Sequence, residues 1–124
     1  MNPKHINAHI TCARIYSDIV QSNHTNSYWK GQYSIEERGQ ALEESVGFYE
    51  KAISSMLNEP VIICEEYLRF ISLYGTPRQK LAAMKFANLI IPMLNQQQMK
   101  ATGSSMTMNW DPCYLLIEEI KSSL

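Results

Sequence analysis

Three side chains near the start of the chain have the types and the spacing of a metal site. His5, His9 and Cys12 stand at i, i+4 and i+7, which on a helix places two imidazoles and a thiol on one face, close enough to share one ion. Tyr16 continues the row. The row lacks the glutamate that follows the first histidine in zinc-protease helices, and no second Cys/His cluster supplies a fourth ligand. The reading preferred here puts Cys12 in the core and leaves the histidines partly exposed. A metal-dependent enzyme using His5, His9 and Cys12 stands third among the functional readings.

Four glutamate pairs, Glu36-Glu37, Glu43-Glu44, Glu65-Glu66 and Glu118-Glu119, pose the question of a two-metal carboxylate site. Such a site in a helical bundle also needs a histidine three residues after a glutamate. No glutamate here has one. There is no Gly-rich phosphate loop, no Gly-x-Ser-x-Gly elbow and no cysteine in a nucleophile context. The expectation is a protein without cofactor or catalytic residues.

Nucleic-acid binding is the alternative reading. Around Tyr74-Gly75-Thr76-Pro77 the chain has the outline of a helix-turn-helix, with Arg78, Gln79, Lys80, Lys85 and Asn88 available to phosphates and base edges. The charge is thin for such a role, since residues 76–124 hold 5 basic and 3 acidic side chains, whereas DNA-binding domains carry a dense basic face. A plain antiparallel hairpin is the preferred reading, and a nucleic-acid partner is not expected.

Acidic charge is concentrated in the middle of the chain, where residues 34–75 hold 3 basic and 8 acidic side chains. Glu36, Glu43 and Glu50 recur at seven, as do Glu37 and Glu44, so one helix carries an acidic stripe. A solvated face explains such a stripe; a docking face for a basic partner explains it also, because like charges held together are relieved by an opposite surface. Tyr28, Trp29 and Tyr33 lie in a neighbouring polar segment, and Trp110 lies at a loop-to-helix junction. Aromatic residues so placed either anchor interfaces or plug gaps. The functional expectation is a small regulator or inhibitor, bacterial or phage in character. It binds a protein with a basic surface, such as one that handles nucleic acid, through Glu36, Glu43, Glu44, Glu50, Tyr28, Trp29 and Tyr33.

The elements that must position these residues are helices. With 124 residues, 45% hydrophobic, 19% charged and a net charge of -1, the composition is that of one soluble domain able to bury a core without staples. The first twenty residues contain no uninterrupted apolar run for a signal peptide, and the longest apolar runs are too short to span a membrane. Three widely spaced cysteines suit reduced thiols in the cytoplasm; a single disulfide would leave one thiol free.

Asn2-Pro3, Thr76-Pro77 and Asp111-Pro112 put a capping residue before a helix-starting proline, and Pro60 marks another start with a weaker cap. Ser34 with Glu37, and Thr76 with Gln79, have capping-box spacing. Trp110 and Leu115 are spaced as a hydrophobic staple. The first helix presents Ile6, Ile10, Ala13, Tyr16 and Val20. The second presents Ile35, Leu42, Tyr49 and Met56, interleaved with Gly39, Val46 and Ile53, and its Gly39 and Gly47 read as points of close helix contact. The third runs from Pro60 through Ile63, Tyr67, Phe70 or Ile71, and Tyr74 to a left-handed cap at Gly75. The fourth carries Leu81, Met84, Ala87 or Asn88, and Ile91, and Pro92 kinks or ends it. The fifth, from Pro112, packs Cys113, Leu116 or Ile117, Ile120 and Leu124. Mobile loops are expected at about 21–33 and 96–109. The predicted fold is all-α: a single-domain compact bundle of about five helices with mostly antiparallel neighbours, its oligomeric state left open.

Overall fold

The computed structural model describes residues 3–21, 33–55, 60–103 and 109–124. Five helices occur among them: α1 Pro3–Val20, α2 Ile35–Ser55, α3 Pro60–Tyr74, α4 Pro77–Thr102 and α5 Asp111–Ser122. No described residue is in a strand, so the fold is all-α. No helix among them is long and apolar enough to cross a membrane. The contacts group the chain into two units, Met1–Ala52 and Ile53–Leu124.

In the first unit α2 starts where its capping box lies. The Ser34 N–H donates to Glu37 Oε1 at 3.0 Å and the Glu37 N–H donates to Ser34 Oγ at 3.1 Å, so two first-turn donors are satisfied by one pair of side chains. The buried surface is made largely of small residues: Ala13 and Ser17 on α1, Ala41, Ser45 and Ala52 on α2, with Leu42 and Tyr49 beside them. Ser45, fully buried, donates through Oγ to the Ala13 carbonyl at 2.8 Å. That bond ties the helices together and removes the cost of a buried, unpaired hydroxyl. Ile35, expected in the core, is 78% exposed, because it sits in the opening turn. Gly39 and Gly47 are not points of close contact: a Cβ on either would meet nothing within 4 Å.

In the second unit α3, α4 and α5 each pack against the other two. The core is Ile63, Cys64, Tyr67, Leu68, Phe70 and Ile71 of α3, Ala83, Ala87, Ile90, Ile91 and Leu94 of α4, and Cys113, Leu116, Ile117 and Ile120 of α5. Tyr67 meets Phe86 edge-on with ring centroids 6.0 Å apart. These residues lie about 12 and 15 Å of helix away from the Gly75-Thr76 turn. Helices α3 and α4 thus still meet more than two turns away from the turn that joins them.

Local chemistry sets the helix ends, not always as expected. Thr76 and Gln79 form both bonds of their capping box. Gly75 is not left-handed; Gly103 is the described glycine with positive φ. Gly75 instead continues the turn, its N–H donating to the Ile71 carbonyl at 2.8 Å, and a Cβ there would stand 2.6 Å from that same oxygen. Helix α4 passes through Pro92 and ends at Gly103, with φ 70 and its N–H on the Met99 carbonyl. Pro92 and Asn88, whose carbonyl loses its helical donor, are both exposed. Pro92 thus lies on the solvent side of α4, where a carbonyl without its helical donor is open to water rather than shut in the core.

The loop expected from residue 96 is accordingly helical as far as Thr102. Asp111 does not cap α5: no side-chain bond caps that helix at Trp110, and Asn109 Oδ1 accepts from the Asp111 N–H at 3.1 Å. Leu115 is 72% exposed while Trp110 is buried, so the staple is not formed. Leu81 and Leu124, both expected to be packed, are exposed. Asn2, Met56, Asn58, Glu59 and the loop at 22–32 lie outside the described residues.

Candidate functional site

A cavity of about 400 Å³ opens between α1 and the first half of α2. Tyr16 and Ile19, one turn apart on α1, form one wall. Tyr33, just before α2, and Glu37, Gln40, Ala41 and Glu44 of α2 form the other. The α2 residues fall at i, i+3, i+4 and i+7, which is one face of a helix.

The lining combines acidic, amide and phenolic side chains. Two carboxylates and one amide supply acceptors, and two phenols stand beside them. Phe48 stacks on Tyr16 with centroids 5.8 Å apart and an 8° interplanar angle, and Lys51 Nζ stands 5.5 Å from the Phe48 centroid. An aromatic surface next to the cavity thus already holds a cation of this chain. The Ser34 backbone N–H and hydroxyl hold the Glu37 carboxyl below its ordinary value of 4.5, so Glu37 stays charged at neutral pH while its Oε1 remains committed to the helix cap.

Of the residues expected to bind a partner, Tyr33 and Glu44 line the cavity. Glu36 and Glu43 are exposed on α2 outside its lining. Glu50 is half-buried and has an interaction within its own chain. Tyr28 and Trp29 lie outside the described residues. Among the described residues, the Glu37–Glu44 row of the acidic stripe lines the cavity together with Tyr16 and Tyr33. Tyr16, Ile19 and Gln40 had no sequence signal tying them to it, apart from the position of Tyr16 one turn beyond Cys12.

The other candidate sets are used differently. His9 faces the Phe48 ring at 5.9 Å and Cys12 is half-buried; the His5 side chain lies outside those described. No group of three His, Cys, Asp or Glu poised for a metal occurs among the described residues. On α4, Gln79 is occupied by the capping box, and Lys80 Nζ donates to Ser123 Oγ at 3.0 Å. Arg78 and Lys85 are exposed. Trp110, 3% exposed, is a packing residue. Cys64 and Cys113 bring their thiols together between α3 and α5, with Cys113 Sγ 3.7 Å from the Val61 carbonyl. The Cys113 thiol and burial together push Cys64 far above the ordinary thiol range.

Comparison of the chain with family models, with characterised proteins and with solved structures finds no match.

Proposed function

We propose that the chain is a small protein-binding regulator that receives a basic side chain of its partner, arginine or lysine, in the α1/α2 cavity. The observation that carries this reading is the lining itself: Glu37 and Glu44 at seven-residue spacing, with Tyr16 and Tyr33, around about 400 Å³. A guanidinium entering it gains charge-assisted bonds to a carboxylate and stacks on a phenol ring, the two interactions for which arginine is best suited. The excess of acid in residues 34–75 supports the same reading, because it steers a basic protein toward this helix. A cytoplasmic setting belongs to the proposal, supported by the odd number and wide spacing of the three cysteines in the sequence.

The test is a nuclear magnetic resonance titration with a short capped peptide bearing one central arginine, against the same peptide bearing citrulline. Shifts confined to Tyr16, Ile19, Tyr33, Gln40 and Glu44 with the arginine peptide support the proposal. Equal responses to both peptides, or shifts elsewhere, reject it. Affinity capture from a lysate followed by mass spectrometry then seeks the partner whose exposed arginine or lysine competes with the peptide.

A further inference from the structure

Helix α4 has apolar residues on both sides. Its inner side supplies Ala83, Ala87, Ile90, Ile91 and Leu94 to the core, yet Leu81 is 46%, Leu89 72% and Met93 52% exposed. Together with Arg78 and Lys85, these form one outward row at steps of three, four, four and four. The helix carries Arg78, Lys80, Lys85 and Lys100 and not one carboxylate. This row of leucine and methionine punctuated by cations is suited to a surface that is acidic and indented.

Helix α2 has such a surface. Ile35, Gly39, Glu43 and Gly47 follow one another at steps of four. Ile35 is 78% exposed, Glu43 is exposed, and the space where a Cβ would stand at Gly39 or Gly47 is open to 4 Å. Neither Glu43 nor Lys85 has an ionic partner among the described residues. Placed antiparallel, the two rows match in step and in type. Leu81 comes opposite Gly47, Lys85 opposite Glu43, Leu89 opposite Gly39 and Met93 opposite Ile35. Each row spans about 18 Å, and Arg78 continues the register toward Glu50.

We infer that the chain self-associates, α4 of one copy docking antiparallel on α2 of a second copy, with Leu81 and Leu89 seated over Gly47 and Gly39 and Lys85 paired with Glu43. Rows at i±4 are the ridges that interdigitate in the commonest helix-packing class, and a glycine under a leucine lets the two axes approach closely. A second copy is the occupant because complementarity of charge, of bulk against absence of bulk, and of spacing all occur within one sequence over four successive positions. The surface uses the Gly39–Glu43–Gly47 row of α2, beside the Glu37–Gln40–Glu44 row that lines the cavity, and does not depend on what the cavity binds.

The experiment is sedimentation velocity on the full chain from low micromolar to sub-millimolar concentration, with thermal melts as a control for folding. The wild type is expected to show concentration-dependent association. Lys85→Glu and Glu43→Lys each place like charges together and should weaken association by at least about tenfold. The double variant restores an opposite pair and should recover it. Gly47→Leu, which fills the notch with a residue that favours helix, should abolish association without lowering the melting temperature. A wild type that stays monomeric throughout, a double variant as weak as the singles, or unchanged association in Gly47→Leu would each overturn the inference. Lys85→Glu should bind the arginine peptide as the wild type does, so failure here is distinct from failure of the cavity proposal.

Discussion

The indole of Trp110 donates through Nε1 to Asn95 Oδ1 at 2.7 Å while the ring itself is 3% exposed. One bond therefore ties the residue preceding α5 to α4, fifteen positions earlier in the chain. It explains why an aromatic at a loop-to-helix junction, a position that would suit an interface anchor, is a structural clamp.

Trp110→Phe keeps most of the packing and leaves the Asn95 oxygen without its donor, so it should destabilise by about 1–3 kcal/mol. Trp110→Ala adds a cavity and should cost about 3–5 kcal/mol. Urea denaturation followed by circular dichroism measures both. Equal effects of the two variants would show that the hydrogen bond, not the ring, dominates.

The glycines divide into two classes with opposite expected signs. Gly75→Ala forces a Cβ to 2.6 Å from the Ile71 carbonyl oxygen and Gly103→Ala puts a Cβ on a residue at φ 70; each should destabilise by about 1 kcal/mol or more. Gly39→Ala and Gly47→Ala meet nothing within 4 Å and should stabilise α2 by about 0.5–1 kcal/mol each. Thermal melts at low protein concentration separate the classes by direction of shift.

Glu37 has a folded-state pKa below its ordinary value of 4.5, chiefly through the Ser34 backbone N–H. A depressed carboxylate pKa contributes stability that is present above the unfolded value and is lost as pH falls through the folded value. The start of α2 should thus loosen on acidification below about 4.5. Amide proton shifts of Ser34 and Glu37 followed against pH check this. Ser34→Ala removes the hydroxyl but keeps the backbone N–H, so it should raise the Glu37 pKa only in part and leave it below its ordinary value.

The cysteines should react in a set order. Cys12 is half-buried, whereas Cys64 and Cys113 are fully buried, and the thiolate that reacts is disfavoured at Cys64 by its Cys113 neighbour and by burial. Alkylation of the native protein followed by mass spectrometry should label Cys12 alone, and all three only in denaturant. Rapid native labelling of Cys64 would show that α3 and α5 part readily.

Capping boxes were legible in the sequence because both partners lie within one turn; Ser34 with Glu37 and Thr76 with Gln79 form as spaced. Which face is buried is not a local property. Ile35, Leu81 and Leu124 keep the apolar period but are exposed, while Ser17, Ala41 and Ser45 are buried with little hydrophobic signal, Ser45 bonding the Ala13 carbonyl. Pro92 reads as a kink or an end, and the helix passes through it to Thr102. The candidate site was half legible in the same way. Glu44 and Tyr33 stand out on a charged stripe and in an aromatic cluster, but Tyr16 and Ile19 come from another helix, and no spacing rule joins residues across a tertiary contact.

The direct test of cation recognition in the α1/α2 cavity is calorimetric titration of the capped arginine peptide into wild type and into the Glu37→Gln/Glu44→Gln variant. Glutamine at position 37 retains the capping box, so α2 keeps its start while the cavity loses its charge. Binding by the wild type that is at least about tenfold tighter than by the variant, equivalent to about 1.4 kcal/mol, and that weakens with added salt is the expected result. Equal affinity for the two proteins, or no heat with either, would contradict cation recognition at this site.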